Sequence, residues 1–443
     1  MKKKIAFIII SMIPIILVGY TLSVFEPFYN KKDHVEGRSN GVDKIQLTFW
    51  RSYGTLSENN AYKELISAFE LAHPTIEVNM VFIPYGDYEM RLRTAIAVGN
   101  PPDILSIDTP NLALYANSGS LLSIDEYMKK EGAIEDIPDT TLRGLIYKGE
   151  IYLAPIIESG LALFYNMHLF EEAGIPYPSE DPTKPMTWDG VLEIAKKVYN
   201  PEKGVYGIDP AQGFADGESA AYFKMPLLWQ FGAEVLSPDA STADGYLNSK
   251  EALEALQFYQ DLYHKYRVAA VELPTNPFQS GNLAMTILGS WHLTELKSLS
   301  DFVLGEDFGI APLPKGKNQI VPNGGWALGI SSKSQYPDEA WEFIKYVTSF
   351  EGAKKYVEIT GDIPARYSVA KEFSELSEYP KNIFVHQAQN NSKNRPVTSA
   401  YPVVSDAVRA LFEDIGIAGR DVNEAADAAV EKIDASLRGI QRR

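Results

Sequence analysis

The sequence predicts an α/β fold in two lobes, and three observations carry that expectation. The 443 residues, 45% hydrophobic and 22% charged, have a globular composition but a length beyond what one hydrophobic core serves. Strand-like apolar stretches alternate with helix-period stretches through the chain. The segment 147–166 alternates around Lys148-Gly149 as a short hairpin would, then runs apolar from Leu161 to Tyr165, as suits a strand covered on both faces. Glu158 lies between the two parts. A carboxylate followed by Ser159-Gly160, where one apolar strand gives way to another, suits a hinge crossing beside a polar cleft. The plainer reading is a solvated acid in a two-residue turn.

The N-terminal stretch stands apart. Met1-Lys2-Lys3-Lys4 is basic, and residues 5–25 carry no charged side chain, long enough as a helix to cross a hydrocarbon core of roughly 30 Å. Residues 1–25 therefore read as an export signal or membrane anchor. The polar stretch 26–43, including Lys31-Lys32-Asp33-His34, reads as a tether.

Residues 45–50 alternate into a first strand, followed by the loop Arg51-Ser52-Tyr53-Gly54 at its C-terminal end, where open α/β sheets bind ligands. Trp50 there is a ligand contact or core packing. Leu65, Ile66 and Phe69 set a helical period over 58–72 that Pro74 stops. Residues 76–83 form a second strand, and Pro84-Tyr85-Gly86 turns into a helix over 87–98. A third strand over 104–107 leaves Asp108 in the loop after it, either capping a helix around 111–116 or hydrogen bonding a solute. Further on, Thr187 reads as an N-cap with Trp188 packed in the first turn, and 205–208 as a strand. The helix over 219–231 ends in Trp229, a cleft wall or a core side chain. Residues 251–266 form a strongly periodic helix, and Trp341 lies on the buried face of another.

Several ordered motifs carry a resemblance. They are Gly149-x-Ile151-Tyr152-x-x-Pro155, Phe164-Tyr165-Asn166-x-x-x-Phe170-x-x-Ala173-Gly174-Ile175, Thr187-Trp188, and Phe278-x-x-Gly281-x-x-Ala284-Met285. Together they resemble the extracellular solute-binding proteins of ATP-driven sugar importers, in the branch of the maltose-binding and multiple-sugar-binding proteins. The resemblance runs from about residue 45 to the C-terminal helix. It implies a periplasmic-binding-protein-like fold with hinge crossings, an N-terminal lobe over 44–157 and 312–362, and a C-terminal lobe over 158–311 and 363–443. The final helices, around 405–412 and 422–437, would return to the second lobe. It also implies that Gly289-Ser290-Trp291 ends a strand and aims its indole into the cleft, that Phe308 to Pro314 is a second crossing, and that Gly324-Gly325-Trp326 precedes a strand. Arg366, in Gly361-Asp362-Ile363-Pro364-Ala365-Arg366, would hydrogen-bond a solute or pin the lobes together. Such proteins in single-membrane bacteria carry a lipobox ending in cysteine. Here Leu17-Val18-Gly19 is followed by Tyr20, which favours an uncleaved anchor with the lysines inside over cleavage after Gly19.

Composition narrows the chemistry. A formal charge of -17 argues against nucleic acid or anionic lipid as the main partner, because counterion release needs clustered Lys and Arg. The lack of cysteine excludes disulfides, Cys-ligated zinc, iron-sulfur clusters and thiol nucleophiles. The 6 histidines are scattered, and no phosphate-cradling loop, His-Glu-x-x-His or Gly-x-Ser-x-Gly is present. In contrast, 25 Tyr and 6 Trp supply faces for the C–H surface of a pyranose, while Asp, Glu, Asn and Arg suit its hydroxyl edge.

The expectation is a carbohydrate-binding receptor without catalytic residues, metal or cofactor, monomeric, on the outer face of the cytoplasmic membrane, anchored or secreted. It would close on a sugar or oligosaccharide and present it to an ABC permease and its ATPase. Its ligand-binding candidates are Trp50, Tyr53, Tyr85, Asp108, Glu158, Trp229, Trp291, Trp326 and Arg366. The alternatives are an extracellular carbohydrate-active enzyme, whose carboxyl pair linear sequence does not reveal, and the same fold serving a non-sugar solute.

Overall fold

A computed structural model describes residues 44–211, 213 and 217–441. The signal, anchor and tether expectations fall on residues 1–43, outside the described residues.

The first lobe is built on strand β1, Ile45–Ser52, whose parallel neighbours define a five-stranded sheet. Thr55 and Glu58 form a reciprocal capping box that starts helix α1, Leu56–Ala72, and this helix buries Leu65, Ile66 and Phe69 as its period requires. Strand β2, Ile76–Ile83, pairs with β1 along its whole length. Helix α2, Tyr85–Ala97, begins two residues earlier than its apolar period indicates, because Pro84 supplies the N-cap and places Tyr85 in the first turn. Strand β3, Ile104–Asp108, is buried throughout and lies on the other side of β1. The strand Trp326–Ile330 then pairs antiparallel with β3, and Ala154–Pro155 closes the sheet. Leu47, Phe49, Ile107, Leu328 and Phe343 are among its fully buried core side chains.

The second lobe is built on Leu161–Asn166, in which all residues are buried, in keeping with its continuous apolar run. It pairs antiparallel with Phe308–Pro312 on one side and Leu283–Gly289 on the other, with Tyr206–Asp209 at the far edge. Its core takes in the helices Trp188–Val198, Ser219–Phe231 and Lys250–His264, and both final helices, Tyr401–Gly416 and Val422–Gln441. Thr187 caps the first of these by accepting from the Gly190 amide, and Trp188 is buried.

Among the described residues the chain passes between the two sheets in three places, and the passages are stitched to one another. Ile157–Glu158 pairs antiparallel with Ile363–Pro364, and Ser159 bridges Gly324. Phe308–Pro312 stays within the second sheet, and Leu313 and Val321 sit in its core, so this passage lies further along, near Gly324 and Gly325. Gly325 has φ 151°, and a Cβ there would come 2.8 Å from the Ile157 carbonyl oxygen, so this close approach needs glycine.

Trp229 belongs to the second core and is 1% exposed. Its helix is buried from Ala220 to Gln230, and the C-terminal turn that carries Trp229 is packed among side chains of the second core. Trp229→Ala should therefore lower stability by about 3–5 kcal/mol in urea unfolding, the range for a large aromatic removed from a packed interior. A loss under 1 kcal/mol would place this side chain outside the core.

Candidate functional site

Between the two sheets, against the crossing segments, lies a cleft of about 350 Å³. The strand ends supply it. The end of β1 brings Arg51, and the residue just after it Tyr53, to one wall; Asp108 ends β3 and Trp326 begins the strand paired with it, so the ladder fixes these two side by side. The opposite wall comes from Tyr222 and Phe223 in the first turns of Ser219–Phe231, and from Trp291, which starts the short helix after Leu283–Gly289.

The aromatic rings are held by other rings. Trp326 packs edge-on against Tyr88, with centroids 5.4 Å apart, and Tyr85 stands 6.3 Å away. The Tyr88 hydroxyl donates to the Ser106 carbonyl at 2.6 Å, fixing that support. Across the cleft, Trp291 lies 6.0 Å from Tyr222 and 6.3 Å from Phe223. The indole also covers the backbone of Gly289, where a Cβ would come within 2.3 Å of the ring. Such side chains present rigid apolar faces with little rotamer freedom left to lose on binding.

Polar groups sit between the rings. The Arg395 guanidinium donates to both oxygens of Asp108, at 2.8 and 3.3 Å, and to Glu218 at 2.5 Å. Glu218 in turn accepts from Ser405 and Tyr401. Only 2% of the Arg395 side chain is exposed, and its Nε has no partner. Burial raises the Glu218 carboxyl above its usual range, against the pull of the Arg395 charge. Asp108 belongs to the first sheet, whereas Glu218 heads a helix of the second lobe, so this cation ties the lobes across the cleft. On the first wall Arg51 bonds Asn59 at 3.1 Å and lies 4.2 Å over the Tyr62 ring. At the crossing, Glu158 accepts from Thr141 Oγ1, and burial pushes its carboxyl up to about 7. Among the described residues no three His, Asp or Glu side chains are grouped to hold a metal ion.

Of the nine candidates, Tyr53, Tyr85, Asp108, Glu158, Trp291 and Trp326 line this cleft. Trp50, Trp229 and Arg366 do not. Alternation along β1 turns Arg51 toward the cleft and packs Trp50 against the first core. Arg366 spends its donors on protein carbonyls, those of Thr348, Gly132 and Ala133, with Asp136 3.7 Å away, so it fastens loops and has little left for a solute. Asp108 makes no capping bond to the turn after it, because Arg395 takes both its oxygens. Sequence reasoning missed Arg395, Glu218, Tyr222, His292 and Asp362. Asp362 carried a signal as a member of the Gly361 to Arg366 motif, and His292 directly follows Gly289-Ser290-Trp291.

Comparison with known proteins gives concordant matches. Residues 53–354 match the family described as bacterial extracellular solute-binding protein. A maltotriose-binding protein of Pyrococcus abyssi is 26% identical over 373 residues, covering 81% of this chain and 75% of the relative. A mannitol-binding protein of Pseudomonas aeruginosa is 28% identical over 316 residues, 67% of this chain and 68% of the relative. The crystal structure of an ABC transporter solute-binding protein from Thermotoga lettingae, bound with α-D-tagatose, superposes with a TM-score of 0.79 at 26% identity, over 89% of this chain and all of the other.

Two outcomes follow from the charges. Arg395→Met leaves Asp108 and Glu218 buried without their cation, and should cost about 3–5 kcal/mol in urea unfolding at pH 7; a cost near zero would mean that neither carboxylate depends on it. The Glu158 carboxyl is held up to about 7 against an ordinary 4.5, so the protonated form favours folding. That contribution is complete below pH 4.5 and is lost as pH rises through 7. Glu158→Gln, which has no charge to bury, should thus gain on the unaltered protein between these values, by about 3 kcal/mol at pH 8. Parallel stability curves for the two proteins from pH 4 to 8 would contradict this.

Proposed function

Because the chain belongs to the bacterial extracellular solute-binding protein family, we propose that it is a carbohydrate receptor that delivers a sugar or oligosaccharide to an ABC permease by lobe closure. The observation that carries this reading is the facing pair of aromatic walls, Trp326 with Tyr85 and Trp291 with Tyr222, separated by charged and hydroxyl groups. Rings suit the C–H faces of a sugar, and the polar groups between them suit its hydroxyl edge. The sugars named for the relatives support the same class. Binding without turnover fits as well, since the Asp108 carboxylate is engaged by Arg395 and that of Glu158 by Thr141. The receptor works as a monomer at the outer face of the cytoplasmic membrane, and Tyr20 in place of a lipidated cysteine supports attachment by an unmodified N-terminal segment.

Thermal melts with a panel of neutral sugars and alditols, D-tagatose, D-mannitol, maltose and maltotriose among them, test the reading. The sugar should raise the melting temperature and be recovered intact; saturation at a hundred times Kd corresponds to about 2.7 kcal/mol. Trp291→Ala should then weaken binding by about 1–3 kcal/mol in titration calorimetry. No shift with any member of the panel, or chromatographic evidence of cleavage, would overturn the assignment.

A further inference from the structure

Among the described residues that line the cleft, four buried polar atoms lack partners: Oγ of Ser52, Nε of Arg395, Oδ2 of Asp362 and Nδ1 of His292. Asp362 is 5% exposed and stands at a crossing segment, just before Ile363–Pro364. His292 is in the first turn of the helix that Trp291 begins. The two segments touch, since Thr294 Oγ1 donates to the Thr360 carbonyl at 2.8 Å, two residues from each side chain. A buried polar atom without a partner is costly, and a cleft that keeps two of them together is suited to a solute that supplies the missing bonds.

We propose that Asp362 and His292 determine which solutes the cleft accepts, by taking up two neighbouring hydroxyls of a sugar, one donating to Oδ2 of Asp362 and the other bonding Nδ1 of His292. This rests on the carbohydrate reading above. The chemistry selects hydroxyls. Burial outweighs a hydrogen bond to the Gly289 carbonyl and pushes the His292 ring down to about 4, so it is neutral at physiological pH. Burial, and then the Glu58 charge on α1, push the Asp362 carboxyl up to about 8, against a hydrogen bond from Thr360 and the charge of Lys381. Tyr356 faces the same group from the helix before it. A carboxylate or phosphate on the solute would add a second negative charge beside Glu58, whose charge already acts on Asp362.

The arrangement links sugar binding to a proton. Near neutral pH the Asp362 carboxyl is mostly protonated, whereas a hydroxyl that donates to Oδ2 favours the carboxylate, so binding releases the proton. Affinity should rise about tenfold from pH 7 to pH 9, following the ionised fraction of a group titrating near 8.

Titration calorimetry in buffers of different ionisation enthalpy tests this, with whichever of D-tagatose, D-mannitol, maltose and maltotriose gives the largest melting shift. The unaltered protein should release close to one proton at pH 7. Asp362→Asn should bind more weakly, lose most of that release and change affinity by twofold or less between pH 7 and 9. His292→Ala should weaken binding about tenfold and keep the proton release. Release that is absent from the unaltered protein, or equal in Asp362→Asn, overturns the assignment while leaving the carbohydrate reading intact. Failure of every sugar to bind the unaltered protein sinks both.

Discussion

The shape of the cleft depends on one guanidinium. Arg395 reaches Asp108 at the end of β3 and Glu218 at the head of Ser219–Phe231, which are the two places where the walls are founded. Through the sheet ladder, Asp108 is in register with Trp326; through the helix, Glu218 is one turn from Tyr222. Fixing these two carboxylates about one cation therefore sets the spacing of the aromatic walls. Its net contribution to stability is another matter, because taking three charges out of water costs several kcal/mol per ion and offsets most of their attraction. What the arrangement supplies is register: a bidentate fork accepts one geometry, and Tyr401 and Ser405 hold Glu218 in the orientation that meets it.

The walls are supported unequally by sequence signals. Strand Leu161–Asn166, helix α1 and the hairpin at Lys148-Gly149 were legible because the cause is local: a continuous apolar run, the helical period of Leu65, Ile66 and Phe69, and two residues with positive φ in a two-residue turn. Trp229 and Trp291 were not distinguishable in the same way. Each ends or begins an element, and only the packing of other helices around Ser219–Phe231 buries the first, while the Cα of Gly289 gives the second room to lie over the chain. Arg395 lay beyond any window. Its partners are 287 and 177 residues away, in a loop that shows no periodicity, so its role is a property of the topology.

Ordering of the site before binding follows from the same features. Trp326 is braced by Tyr88, whose hydroxyl is bonded to the backbone of β3, and Trp291 is braced by Tyr222 and Phe223. Little side-chain entropy remains to be lost there when a solute arrives. The exposed ring of Tyr53, by contrast, rests on Phe82 at 5.8 Å and retains freedom at the rim.

The stitched passages between the sheets have a mechanical consequence. Three lengths of chain tied edge to edge, by Ile157–Glu158 against Ile363–Pro364, by Ser159 against Gly324, and by the Ala365 amide on the Ile156 carbonyl at 3.0 Å, form a narrow strip. A strip bends readily across its width, but shearing or twisting it would break the rungs that join its members. Once the Arg395 contacts across the cleft are released, the two halves of the molecule are thus left with one soft coordinate, a motion like that of a book on its spine. Any surface that touches both covers then receives a single variable, the opening angle, in which the filling of the cleft is encoded without contact with the solute itself.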